Sequence, residues 1–295
     1  MDWLIEFPEL SRGTLRDMRL AVDGAFRDFT RTYGDTIEAS FDPIKWMLIW
    51  FEDLLTEAPW ILVIAATVAI VWFASRRVGI TVGAAVALFL IGLLGMWEEL
   101  MQTMAIVLVC TILAIIIGMP IGILMSRFAR FRAAMTPVLD VMQTMPSFVY
   151  LIPVVMLFGI GKVPGMIAII IYAVPPIIRL TDLGIRLVDK DVLEAADAFG
   201  ASNLQRLYGV QMPLALPTIM AGVNQTIMMS LAMVVVASLV GVEGLGILVL
   251  NAITNQFLSQ GLLAGGAIVA IAIIFDRASQ AYGKRLQKHS EVAHG

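Results

Sequence analysis

The chain has 295 residues, of which 59% are hydrophobic and 15% charged, and its formal net charge is −3. A composition this apolar excludes an ordinary water-soluble domain and indicates a protein that is integral to a lipid bilayer. The single cysteine, Cys110, lies in an apolar segment and cannot form an internal disulfide. Both histidines, His289 and His294, lie near the C-terminus, so no histidine is expected within the membrane for a metal site or a proton relay.

The N-terminal part of the chain contains a polar segment followed by a short aromatic one. Residues 1–42 have no basic start and no long apolar run, so they predict a polar N-terminal tail rather than a cleaved signal peptide. Residues 43–57 combine Trp46 and Trp50 with acidic side chains, which is typical of an amphipathic helix at the membrane interface. A simple N-terminal extension of the first membrane span is the alternative interpretation.

Apolar stretches long enough to cross a bilayer follow the aromatic segment. A helix crosses a hydrocarbon core of ~30 Å with ~20 mostly apolar residues. Stretches that reach or approach this length are 59–74, 78–96, 100–125, 135–160, 163–180, 215–242 and 261–275. They predict an all-α polytopic membrane protein with about seven transmembrane helices, a transmembrane domain over residues 58–283 and a C-terminal tail over 284–295. Gly118 and Gly122 form a GxxxG pair, which is typical of closely packed membrane helices.

Basic residues fall mainly on one side of the predicted spans. Those on that side are Arg76, Arg77, Arg127, Arg130, Arg132, Arg179, Arg186, Lys190, Arg206, Arg277, Lys284, Arg285 and Lys288. Loops rich in Lys and Arg stay in the cytoplasm. The distribution therefore places the loop of residues 186–213 and the C-terminus in the cytoplasm, and seven spans then leave the N-terminus outside.

The loop of residues 186–213 is a polar island between two long apolar segments. Asp189 and Asp191 precede apolar positions, as acceptors and negative charges do at the start of a helix. Ala195 and Ala196 are small enough to let another protein approach the backbone, and Gly200 allows the chain to turn at the helix end. These features predict a short amphipathic helix.

From Glu194 to Pro217 the chain reads EAADAFGASNLQRLYGVQMPLALP, which resembles the cytoplasmic EAA loop of membrane permeases in ATP-binding-cassette importers. The resemblance implies a coupling helix that binds a separate cytoplasmic ATPase. The coupling residues that it implies are Glu194, Ala195, Ala196, Gly200 and Pro213. An ordinary cytoplasmic loop helix is the alternative interpretation. The chain has no phosphate-binding loop of the GxxxxGKS or GxxxxGKT type, so ATP and Mg²⁺ are expected on the ATPase and no cofactor on this chain.

Prolines interrupt the predicted span 135–160. Pro146 and Pro153 remove backbone donors at membrane depth, which is tolerated where a break lines a cavity. Polar and aromatic residues near this break and in span 215–242 are the candidate translocation path: Gln143, Ser147, Phe148, Tyr150, Asn224 and Gln225. Hydrogen bonding between helices is the alternative role for the polar members. Met142, Met145 and Met229 are candidate gate residues, and filling of the core is the alternative for them.

Residues 143–181 and 216–225 resemble the permease of glycine betaine and proline betaine importers, and the similarity extends over about 100–283. The resemblance implies a type I importer permease fold in the inner (plasma) membrane of a bacterial cell. It also implies a cytoplasmic ATPase, an extracytoplasmic substrate-binding protein and a second permease copy, expected as a homodimer, with membrane lipid as surroundings and no nucleic-acid partner. The solute stays open among glycine betaine, proline betaine, choline, carnitine and an amine oxide.

The sequence thus predicts a transport permease subunit rather than an enzyme. An ATP-independent channel or an ion-coupled carrier for a small polar solute is the alternative. Ion-coupled carriers usually place a charged side chain within the membrane, and no charge is predicted in the middle of these spans, because Asp140 and Asp276 lie near cytoplasmic ends.

Overall fold

Helices contain most of residues 9–292, the part of the chain that this computed structural model describes. In chain order they are α1 (Arg12–Thr56), α2 (Trp60–Ser75), α3 (Val78–Leu93), α4 (Trp97–Arg127), α5 (Ala129–Thr144), α6 (Ser147–Phe158), α7 (Lys162–Arg186), α8 (Lys190–Ala198), α9 (Asn203–Gln205), α10 (Met212–Ala237), α11 (Leu245–Thr254) and α12 (Leu258–Val292). A π-helical turn (Arg206–Gln211) joins α9 to α10. Residues 9–292 contain no strand, and the predicted all-α fold class is confirmed.

Among the described residues, helices long and apolar enough to cross a membrane number four, or up to six when each bent pair counts as one crossing, against about seven predicted from the sequence. Four stretches are long and apolar enough singly: α4, α7, Asn203–Val240 and Leu258–Gly283. Two bent pairs, α1 with α2 and α5 with α6, would each supply one more crossing. The remaining predicted span, 78–96, contains the shorter apolar helix α3 of 16 residues.

The predicted span 135–160 is not one straight helix. The chain turns through 98° between α5 and α6. Met145 is extended, with ψ 132°, because a residue before proline avoids the α region. Pro146 also has no N–H to continue the hydrogen-bond ladder, so the helix stops here and restarts at Ser147.

The N-terminal segments that differ in composition form one helix. Helix α1 continues through Pro43 from Arg12 to Thr56, so the change from polar to aromatic sequence near residue 42 is not a structural boundary. Residues 1–8 of the predicted tail lie outside the described residues, as do residues 293–295. At the other terminus, α12 likewise continues through the predicted boundary at residue 283.

Helix α7 lies at the centre of the bundle, with α4 and α10 packed against it. A Cβ on Gly118 would lie 2.4 Å from Ile177 Cγ2, and one on Gly122 would lie 2.6 Å from the Ile178 carbonyl oxygen. Both distances are shorter than van der Waals contact. The GxxxG pair therefore allows α4 to approach α7 closely, as the sequence predicts.

Contacts between distant residues distinguish two ends of the bundle. At the end that the sequence predicts to face outward, which we call the outer end, Lys162 Nζ at the start of α7 lies 2.8 Å from Glu52 Oε1 of α1 and 2.9 Å from Glu243 Oε2. At the opposite end, which we call the loop end, the Arg127 guanidinium donates to the Asn203 carbonyl over 2.8 Å. The loop end therefore contains α8, α9 and the end of α4.

Candidate functional site

Helix α8 contains the predicted coupling residues of the loop. The Asp189 carboxylate accepts a 2.9 Å hydrogen bond from the Asp191 N–H, which caps the start of the helix. None of its nine residues is buried. Glu194 and Ala195 are exposed and Ala196 is half-buried, so the surface of the helix is accessible rather than packed against the bundle.

The end of α8 is a Schellman turn built on Gly200. Its N–H donates to the Asp197 carbonyl over 3.0 Å, and the Ala201 N–H donates to the Ala196 carbonyl over 3.1 Å. This pair of hydrogen bonds requires a left-handed residue, and Gly200 has φ +76°. The glycine expected to turn the chain therefore does so.

Large apolar side chains surround α8 without being covered. Phe199 is 93% exposed, Leu187 68% and Leu204 67%. Apolar side chains exposed together mark a protein-interaction surface or a membrane contact. We call the exposed residues of 187–208 the loop surface.

One contact joins parts of the loop to each other, and two attach the loop to the bundle. The Arg206 guanidinium lies 2.8 Å from the Asp197 carboxylate and joins the π-helical turn to α8. The Arg127 hydrogen bond to Asn203 joins α9 to α4. Leu207 is buried in a cluster that includes Met125 of α4. Helix α8 is therefore connected to α4 and α10 through α9 and the π-helical turn.

Pro213, the last predicted coupling residue, lies in the first turn of α10 rather than in α8. It is exposed and, as a proline, has no backbone N–H to donate a hydrogen bond to the carbonyl four residues earlier. The preceding turn is π-helical, with the Met212 N–H bonded to the Leu207 carbonyl. Pro213 thus marks the junction between the loop and a membrane helix.

The α5–α6 break contains four of the six predicted path residues. Gln143 and Phe148 are exposed and Ser147 is half-buried. Tyr150 is buried, donates its hydroxyl to the Met142 carbonyl, and packs edge-on to Tyr172 with ring centroids 6.1 Å apart. Tyr150 therefore connects α6 to α5 across the break, while the other three remain accessible.

Asn224 and Gln225 face different directions on α10. Asn224 Nδ2 donates to Asp276 Oδ1 over 2.9 Å, and its Oδ1 accepts from Ser279 Oγ over 2.5 Å. Gln225 is exposed, and its side chain forms no hydrogen bond within the described part of the chain. Asn224 therefore connects α10 to α12, which is the alternative role that sequence analysis left open for it.

The candidate gate residues lie against the core. Met142 and Met145 are partly buried against its two apolar clusters, and Met229 is half-buried on α10. These positions are compatible with filling the core as well as with a gate.

Two polar clusters join side chains that are distant in the sequence and that no motif indicates. One is the Asn224–Asp276 pair, which joins residues 52 apart in the chain. The other is Lys162 with Glu52 and Glu243, which come from three separate segments. The positions of polar residues along the sequence do not show which residues of distant segments will be brought together by the fold.

Comparison with known proteins identifies the family. A profile described as the binding-protein-dependent transport system inner membrane component matches residues 114–288. The chain belongs to this family. It is therefore the membrane component of an importer that works with a separate ATPase and a substrate-binding protein, and it is a transport subunit rather than an enzyme.

Several curated relatives are similar over most of this permease. The glycine betaine/carnitine transport permease protein GbuB of Listeria monocytogenes is 42% identical over 268 residues, which cover 90% of this chain and 93% of the relative. ProW of Escherichia coli, a glycine betaine/proline betaine transport system permease, is 48% identical over 82% of this chain and 68% of its own. OpuAB of Bacillus subtilis, a glycine betaine permease, is 48% identical over 75% and 78%.

A solved structure has the same fold. A chain of the inward-facing MetNI methionine ABC transporter superposes with a TM-score of 0.58 over 65% of this permease and 95% of that chain, at 18% identity. The similarity supports the predicted type I importer permease fold.

Proposed function

We propose that this permease imports glycine betaine or a related quaternary ammonium solute, driven by ATP hydrolysis in its partner subunit. The observation that carries the proposal is the identity of 42% to GbuB over 90% of the chain. ProW and OpuAB, named for glycine betaine, support the same solute class. Carnitine, choline, proline betaine and an amine oxide are the competing solutes within it.

Helix α8 and the loop surface are the proposed docking site for the ATPase. Support comes from the exposure of Glu194 and Ala195 and from the uncovered Phe199. The attachment of the loop to α4 and α10 gives a route by which movement of the ATPase reaches the membrane helices. With this role, the loop end and the C-terminus are proposed to lie in the cytoplasm, and seven spans would then leave the N-terminus outside.

The translocation path is proposed to lie at a surface shared by two copies of this chain. Gln143, Ser147 and Phe148 at the α5–α6 break and Gln225 on α10 are accessible in the single chain, which suits residues that line such a path. Tyr150 and Asn224 are proposed to hold the helices that carry these residues. Met142, Met145 and Met229 remain gate candidates beside them.

Uptake by the reconstituted importer tests this function. Proteoliposomes would contain the permease with its ATPase, and radiolabelled glycine betaine, carnitine and choline would be offered with the binding protein. We expect uptake of glycine betaine that requires ATP and both partners. Transport of the same solute by the permease alone would contradict the proposal and would favour a channel or carrier.

A further inference from the structure

A cavity of about 400 Å³ at the loop end is lined by the arginines Arg76, Arg77, Arg277 and Arg285. They come from the α2–α3 link and from the second half of α12. Arg285 Nη1 donates to the Phe73 carbonyl over 3.0 Å, which holds the second half of α12 beside the end of α2. The cavity therefore has a defined position between three helices.

The four guanidinium groups form no ion pair with any carboxylate among the residues whose side chains the structure describes. Arg179, Arg186 and Arg206 are each paired with an aspartate. Four positive charges that line one cavity repel each other unless an anion joins them. Arginine binds phosphate through two parallel hydrogen bonds, so the charge and the geometry both suit a phosphate group.

Arg76 has an unusual backbone conformation at this cavity. Its φ is 49° and its ψ is 27°, a left-handed conformation that L-residues other than Asn and Asp seldom adopt. The Arg76 guanidinium lies over the Phe73 ring, 5.2 Å from the centroid. Glycine would take this conformation without strain, so an arginine here is consistent with a need for its side chain.

An apolar groove of about 450 Å³ lies next to the cavity, along α2 and α12. On α2 the groove reaches Val71, one turn before Ser75 of the cavity. On α12 it reaches Ala278, about one turn before Ala281 of the cavity. A ligand with a phosphate and a long apolar chain would occupy both spaces at once.

We propose that this combined site binds an anionic phospholipid, with the phosphate in the arginine cavity and an acyl chain in the groove. Basic pockets between membrane helices on the cytoplasmic side bind such head groups. Phosphatidylcholine is disfavoured because its trimethylammonium group would add positive charge near four arginines. The site would fix α2 and α3 to α12 and would make the stability of the permease depend on lipid charge.

Thermal unfolding of the delipidated, detergent-solubilised permease tests the proposal. Dioleoyl phosphatidylglycerol, dioleoyl phosphatidylcholine and inorganic phosphate would be added separately at equal concentration. We expect phosphatidylglycerol to raise Tm and the other two to raise it by less than half as much. Native mass spectrometry would show about one tightly retained phosphatidylglycerol for each chain.

Two double variants and a matched control localise the effect. Arg76→Gln with Arg77→Gln, and separately Arg277→Gln with Arg285→Gln, should reduce the phosphatidylglycerol-induced Tm shift by more than half. Arg130→Gln with Arg132→Gln removes the same charge at the same end but outside the cavity, and should keep the full shift. Each shift is measured from the variant's own Tm without lipid, so a change in basal stability does not affect the comparison.

The groove is tested with Ala66→Trp, because Ala66 is an exposed residue in the groove lining. This variant fills the groove, keeps all four arginines, and should reduce lipid retention. A full phosphatidylglycerol shift in both arginine variants would overturn the proposal. An equal shift with inorganic phosphate would show an anion site without lipid, and an unchanged Ala66→Trp would overturn the assignment of the acyl chain.

Discussion

Gly200 ends α8 with φ +76°, and a Cβ built there would meet nothing within 4 Å. Within this chain a substitution therefore acts through the backbone, since an L-residue costs about 1–2 kcal/mol in the left-handed region. We predict that Gly200→Val lowers ATP-driven uptake roughly tenfold while the chain still inserts, because 1.4 kcal/mol corresponds to a factor of ten. Gly200→Asn should retain most activity, since Asn tolerates this conformation.

The control for Gly200 is Gly95→Val. Gly95 has φ +79° and equally open space around its Cα, but it lies in the α3–α4 link at the outer end. Its substitution should leave the coupling of ATP hydrolysis to uptake unchanged. Normal coupling in Gly200→Val would show that the end of α8 has no part in transmission.

Asn224 and Gln225 are neighbours with different environments, so the same substitution separates their roles. Asn224→Leu leaves Asp276 and Ser279 without a partner on α10, which should cost about 1–2 kcal/mol and lower Tm in detergent. Gln225→Leu should leave Tm unchanged and alter uptake. A lower Tm in Gln225→Leu, or an unchanged one in Asn224→Leu, would reverse this assignment.

At the scale of elements, the close contact of α4 with α7 depends on Gly122. A Cβ there would meet the Ile178 carbonyl oxygen and Thr181 Cβ, both at 2.6 Å. Backbone atoms cannot move aside like a side-chain end, so Gly122→Ala should destabilise the bundle by about 1–3 kcal/mol. Gly83→Ala on α3, where nothing lies within 4 Å, should not. Thermal unfolding in detergent compares the two, and equal Tm values would contradict the close packing.

The sequence predicts a helix or a break correctly where one physical effect dominates. Long apolar runs predict α4, α7 and α10, because a bilayer requires helices of that length. Pro146 predicts a break, but the 98° turn depends on how α6 packs afterwards. The change of polarity near residue 42 predicts a boundary inside α1, yet a change of polarity alone does not end a helix. The turn at Gly200 followed from local sequence, whereas the partner of Asn224 depended on a residue 52 positions away.

At the scale of the whole molecule, one lysine connects the N-terminal helix to the outer end. Lys162 contacts Glu52, whose side chain is 12% exposed, and Glu243, whose side chain is 53% exposed. A less exposed ion pair is screened less by solvent, so the Lys162–Glu52 pair should contribute more to stability than the Lys162–Glu243 pair. The position of α1 against the bundle should therefore depend on Lys162 and Glu52 above all.

We predict that Lys162→Gln increases amide hydrogen exchange in residues 41–56, because Glu52 keeps its charge and loses its cation. Glu52→Gln should have a similar effect and Glu243→Gln a smaller one. Lys45→Gln is the matched control, since Lys45 lies on the same helix and forms no ion pair among the described residues. If the amides of residues 41–56 exchange no faster in the Lys162→Gln variant than in the Lys45→Gln variant, apolar contacts such as those of Leu48 and Phe41 hold α1 without the charges. If they do exchange faster, high salt should reproduce part of the effect in the unmodified chain, because the Lys162 side chain is 32% exposed and ions can reach it.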